Sequence, residues 1–319
     1  MLTSPTCQHD ASKLCEPACA ADTGAACAST GLISLLKARE RFAAEATTGM
    51  CSTGRYQCAY WSWGNGPPLI FIHGLADRAA SFLLPASLLA QQFRCIAYDL
   101  PEGGGDAAPL RRYTHADLVA DLGAILDHLQ LDRAYLFGSS FGSTIALEAM
   151  RLQPSRYPRA MLQGGFARRP LHLGEWLLAS SMRFSPGKMR HLPFRNRGLV
   201  RHCKGPLAER ADVWQFFLEC AGTPRIQAVA RRALLLSRLD LRSTLAEVRQ
   251  PVLLICGDND PLVGKTCEQE LLQGLPSAER IEIPGCGHYP YFSHPELLAE
   301  IVKMFLTPSR RESKIPKIA

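Results

Sequence analysis

Ala134-Tyr135-Leu136-Phe137-Gly138-Ser139-Ser140-Phe141-Gly142 runs from a short apolar, strand-like segment directly into a helical one that continues to Leu152. A turn this abrupt forces its central residue, Ser140, into a strained backbone conformation and lifts the side chain off the sheet. Glycines at 138 and 142 remove the Cβ atoms that would collide in so tight a bend. The helix that follows points its free N–H groups and the positive end of its dipole at the same spot. Ser140 is therefore the candidate nucleophile. A Ser/Gly loop without chemistry is the plain alternative, and the strand and helix on either side argue against it.

Working outward, strands and helices alternate. Upstream, residues 31–46 read as a helix, and Arg55–Trp63 as a strand that ends in the turn Gly64-Asn65-Gly66. Leu69–Ile72 and Phe93–Tyr98 are continuous apolar runs, as expected of strands buried on both faces. Thr114–Gln130 is the clearest helix. Thr114 and Asp117 form a capping-box-like start, and Leu118, Leu122, Ile125, Leu126 and Leu129 share one face. Downstream come strand Arg159–Gln163, strand Val252–Cys256, helix Thr266–Gln273, strand Arg280–Ile283 and helix Pro295–Leu306. The pattern predicts an α/β fold with a mostly parallel sheet covered by helices on both faces.

Residues 166–248 interrupt the alternation with several short, proline-broken helical stretches, which predicts a helical insertion between core segments 31–165 and 249–307. This insertion carries 15 Lys and Arg against 6 Asp and Glu, a net +9. The whole chain of 319 residues carries +7, so all the net positive charge lies here. A solvated face is the favoured reading, with attraction of an anionic substrate or contact with a membrane surface as the alternatives. Trp176, Leu177, Met182, Phe184, Leu192 and Phe194 are candidates to line an apolar pocket, and Trp214, Phe216, Phe217 and Leu218 form a second apolar group. For any one of them, packing onto the core is the plainer use.

The remaining features exclude more than they assert. A chain that is 47% hydrophobic can bury a core. No apolar run approaches the roughly 20 residues of a membrane span, so stable membrane insertion is not expected. The mild overall charge names no nucleic-acid partner, and no such module fits the α/β pattern. Residues 1–30 show neither a secretory signal nor a periodic pattern, and are expected to be a disordered extension in a cytoplasmic protein. Cys7, Cys15, Cys19 and Cys27 fall there without C-x-x-C spacing, so no metal site is expected. Residues 308–319 form a basic tail.

A serine hydroxyl needs a base. Gly285-Cys286-Gly287-His288 follows the last strand, which puts His288 at the carboxyl edge of the sheet with Ser140. His294 reads as a helix-boundary residue before Pro295, and His73 as a structural hydrogen-bonding residue beside Gly74. A carboxylate should fix the imidazole tautomer. Gly257-Asp258-Asn259-Asp260-Pro261 lies at the same edge, and spacing alone allows either aspartate.

Taken together, these motifs resemble the α/β-hydrolase fold superfamily, in its serine-nucleophile esterase/lipase-like branch, from about Tyr56 to Leu306. His73-Gly74-Leu75 resembles the family's oxyanion segment. Asp99-Leu100-Pro101 with Gly103-Gly104-Gly105 resembles its D-x-P/R-G-x-G loop, with Glu102 in place of a usual glycine. Gly257-x-x-Asp260 matches the family's acid motif and favours Asp260, and Gly287-His288 with Pro295 resembles its ending. Ser139 and Ser143 stand where the family commonly has His and Gly. The resemblance implies a helical lid from residues 166–248 and an oxyanion hole from the backbone N–H groups of Leu75 and Phe141. It implies cofactor-free hydrolysis of a small-molecule carboxylic ester or lactone through an acyl-enzyme. C–C bond hydrolysis or acyl transfer on the same triad, and a ligand-sensing role without turnover, are the alternatives.

Overall fold

The computed structural model describes residues 33–102, 113–193, 199 and 206–307. The Cys-rich extension, Gly103-Gly104-Gly105, Phe194 and the basic tail lie outside the described residues. Among the described residues eight strands form one sheet: β1 (Thr47–Ser52), β2 (Gln57–Trp63), β3 (Pro68–Ile72), β4 (Arg94–Tyr98), β5 (Tyr135–Ser139), β6 (Ala160–Gln163), β7 (Val252–Gly257) and β8 (Ala278–Ile283). Their spatial order is β1-β2-β4-β3-β5-β6-β7-β8. β2 runs antiparallel to β1 and β4, and every other pairing is parallel.

The longer helices are α1 (Leu35–Glu45), α2 (Leu83–Leu89), α3 (His115–His128), α4 (Phe141–Leu152), α5 (Leu173–Met182), α6 (Ala211–Gly222), α7 (Ile226–Leu236), α8 (Lys265–Gly274) and α9 (Pro295–Leu306). The two-residue period of a strand divides the core between the two faces of the sheet. Leu69 and Phe71 of β3 pack with α1, α2 and α9, whereas Ile70 and Ile72 pack with α3 and α4. Both faces are covered, so the strands can be apolar throughout. The Thr114 hydroxyl accepts from Asp117 N–H and the Asp117 carboxylate accepts from Thr114 N–H, completing the capping box that starts α3.

Two elements escaped the sequence reading. β1 lies at the sheet edge and is mostly exposed, so its sequence shows no apolar alternation. α2 is buried nearly all round and carries Pro85, which hides its helical period. Between β6 and β7 lie α5, α6 and α7, where the insertion was expected. Phe217 of α6 packs on Tyr289 at a ring-centre distance of 4.9 Å, and Phe216 on Phe292 at 5.6 Å. That is the packing use of the second apolar group.

Candidate active site

Ser140, Asp260 and His288 follow β5, β7 and β8, which run parallel, so all three emerge at one sheet edge. Ser140 has φ 50° and ψ −114°, a left-handed conformation that a serine adopts only under constraint. The constraint is visible. A Cβ on Gly138 would come within 2.7 Å of Ser143 Cα, and one on Gly142 would run into the Ile72 carbonyl. Ser140 N–H donates to the Gln163 carbonyl at 2.8 Å, which pins the bend to β6.

His288 Nδ1 lies 2.6 Å from Asp260 Oδ2, and both side chains are buried, 4% and 3% exposed. The other carboxylate oxygen of Asp260 accepts from the N–H groups of Leu262 at 2.8 Å and Val263 at 3.0 Å. Burial alone would raise the Asp260 pKa. The charge and hydrogen bond of His288, with the two backbone donors, outweigh it and hold the carboxyl below its usual value. Asp258 is exposed and accepts from Asn259. His294 stands at the N-terminal boundary of α9, with Nδ1 2.8 Å from the Ser293 hydroxyl.

A cavity of about 180 Å³ joins Ser140 and His288, and Leu75 and Phe141 line it with them. Its apolar walls include Phe166, Leu236, Leu262 and Val263. None of the apolar residues of α5 lines it. This corrects the expectation for Trp176 and Leu177, which are 41% and 55% exposed, and for Phe184, which lines a separate cleft. α5 is apolar on every side, so its sequence marks no inward face.

The loop bearing Leu75 is held from two sides. His73 Nε2 accepts from Leu100 N–H at 3.0 Å, so its proton sits on Nδ1, which donates to the Gly74 carbonyl at 2.8 Å. That carbonyl shares a peptide with the Leu75 N–H, so the bond polarises that N–H. Burial, then the positive charges of Arg232 and Arg78, push the His73 pKa well below 6.5 and keep the ring neutral. From α7, the fully buried Arg232 donates to the carbonyls of Leu75 at 3.0 Å, Leu100 at 3.0 Å and Pro101 at 3.1 Å. One guanidinium thus ties the helical segment to both loops.

Sequence reading passed over three further residues. Gln163 is fully buried, accepts from the Ser139 hydroxyl at 2.7 Å and donates to the His288 carbonyl at 3.0 Å. It links the Ser140 bend to the His288 loop, and an amide in the otherwise apolar run Ala160-Met161-Leu162 was the available signal. Arg232 resembled the other arginines of the insertion until its burial was seen. Gly164 has φ +53°, and a Cβ there would sit 2.9 Å from His288 Cε1 and 3.3 Å from Asp260 Oδ2. Gly164→Ala should therefore shift the imidazole and lower kcat about 10²-fold with little change in KM, measured by steady-state ester hydrolysis. A wild-type kcat in the variant would show that the glycine is not needed there.

Residues 69–301 match the Alpha/beta hydrolase family, and the chain belongs to it. A pimeloyl-[acyl-carrier protein] methyl ester esterase of Aromatoleum aromaticum is 31% identical over 252 residues, covering 75% of this chain and 98% of that protein. The enzyme of the same name from Nitrosomonas europaea is 29% identical over 241 residues, covering 73% of this chain and 93% of its own length. The enol-lactonase from Burkholderia xenovorans superposes with a TM-score of 0.72 at 19% identity, over 82% of this chain and all of that one. At that identity the likeness is one of fold.

Proposed function

We propose that the protein is a serine hydrolase that cleaves a carboxylic ester or lactone through an acyl-enzyme. Ser140 attacks the carbonyl, His288 takes the proton and returns it to the leaving group, and Asp260 orients His288 and stabilises its cation. The N–H groups of Leu75 and Phe141 receive the developing oxyanion, and residues 166–248 act as the lid. The observation that carries this reading is the His288–Asp260 pair, 2.6 Å apart, beside a strained serine in one cavity. The names of the sequence relatives, methyl ester esterases, support ester chemistry. Among the described residues seven cysteines are free and no helix is long and apolar enough to cross a membrane. Reduced thiols fit the cytoplasm.

The cavity of about 180 Å³ is smaller than the roughly 300–1,000 Å³ of a drug-sized ligand pocket. Short acyl or alkoxy groups fit it. Across a series of nitrophenyl esters, kcat/KM should therefore peak at acetate to butyrate and fall at least about tenfold by decanoate. Absence of turnover on every ester and lactone, with no labelling by a fluorophosphonate, would favour the sensing role.

A further inference from the structure

Helix α7 contributes to two cavities. Leu236 lines the catalytic one. Arg231, Leu234 and Leu235 share a face at i, i+3 and i+4 and, with Arg238 two residues beyond the helix, line a separate cleft of about 820 Å³. The cleft is also lined by Arg183 and Phe184, just beyond the end of α5, with the Arg183 guanidinium 4.6 Å from the Phe184 ring centre. Among the described residues its lining contains three arginines, of which Arg231 has an interaction of its own, and no Asp or Glu. Among the described residues neither Arg183 nor Arg238 has a carboxylate within ion-pair distance. The cleft therefore combines concentrated positive charge with an aliphatic and aromatic surface, in the segment that holds all the chain's net charge.

Cations of one sign gathered on a concave surface raise the local potential, and a bound anion lowers it. The planar fork of a guanidinium matches the oxygens of a carboxylate or phosphate. Leu234, Leu235 and Phe184 offer nothing to such a head group, but they can bury a hydrocarbon chain. We infer that this cleft is a second binding site, separate from the triad, for an anionic amphiphile. A carboxylate or phosphate head sits between Arg183 and Arg238, and an apolar chain lies along Leu234, Leu235 and Phe184. Because the site stands apart from Ser140, it holds whether or not the hydrolytic reading does.

The test is calorimetric titration of the full chain with dodecyl phosphate and dodecanoate below their micelle concentrations. Dodecanol and inorganic phosphate serve as half-ligands. Both amphiphiles should bind saturably, and each half-ligand at least about tenfold more weakly. Binding should persist after a fluorophosphonate caps Ser140, since the cleft does not include that residue. The double variant Arg183→Gln/Arg238→Gln should lose at least about tenfold in affinity at an unchanged circular dichroism spectrum. If the double variant proves poorly folded, Arg238→Gln alone should show the same direction. Unchanged affinity in a folded variant, loss of binding on capping Ser140, or equally tight binding of dodecanol would each overturn the site. Pelleting with phosphatidylglycerol vesicles without binding of either soluble amphiphile would also overturn it, in favour of a bilayer surface.

Discussion

Ser140→Ala should lower ester turnover by about 10⁴-fold or more while the protein stays folded. The size follows from what is lost. On the proposed mechanism no acyl-enzyme would form without the hydroxyl, and only the proposed oxyanion donors and substrate positioning would remain to act on water. The fold should survive because the Ser140 side chain caps nothing on α4, and the bend is fixed by Gly138, Gly142 and the Ser140 N–H bond to Gln163. Alanine tolerates that left-handed backbone about as poorly as serine does, so the strain is unchanged. The measurement pairs nitrophenyl acetate kinetics with fluorophosphonate labelling and a melting curve. A folded variant that keeps a tenth of the wild-type rate, or that still reacts with the probe at its active site, removes Ser140 from the chemistry.

Much of this was legible in the sequence where local chemistry and global packing agree. α4 and α9 were predicted with the limits they have, because sharp signals sit at their starts: the Gly-flanked bend and Pro295. α3 was legible through its capping box and one-sided leucines. β1 was not, because an exposed edge strand needs no apolar face, and α2 was not, because a helix buried all round has no period to read. The site divides in the same way. Ser140 and His288 announce themselves by glycine-flanked turns at strand ends. Gln163, Gly164 and Arg232 matter through contacts with residues far away in the chain, and only the fold brings these together. The direction in which α5 presents its apolar residues was likewise beyond a sequence whose every face is apolar.

The choice between Asp258 and Asp260 yields the second large effect. Spacing left the two open and family resemblance favoured Asp260, whose Oδ2 faces His288 Nδ1 at 2.6 Å. The reason is local: Leu262 and Val263 N–H groups hold Oδ1, which turns Oδ2 toward the imidazole. Asp260→Asn keeps the shape but removes the charge that stabilises the imidazolium. It can also present an amide N–H to Nδ1, which would leave the proton on the nitrogen needed as base. We expect kcat to fall about 10⁴-fold, with KM changed little. Asp258→Asn should stay near the wild-type rate, because that side chain is exposed and bonded to Asn259. The pH dependence follows with a definite sign. A folded-state pKa below the unfolded value of about 3.9 makes the Asp260 carboxylate stabilising above that value. The contribution disappears only as pH falls through the lower folded-state pKa. Asp260 thus stays ionised throughout the neutral range, and Asp260→Asn should flatten the acid side of the stability–pH curve measured by thermal melting. If Asp258→Asn instead abolishes turnover and Asp260→Asn does not, the orienting acid is the other aspartate and the loop must rearrange to deliver it.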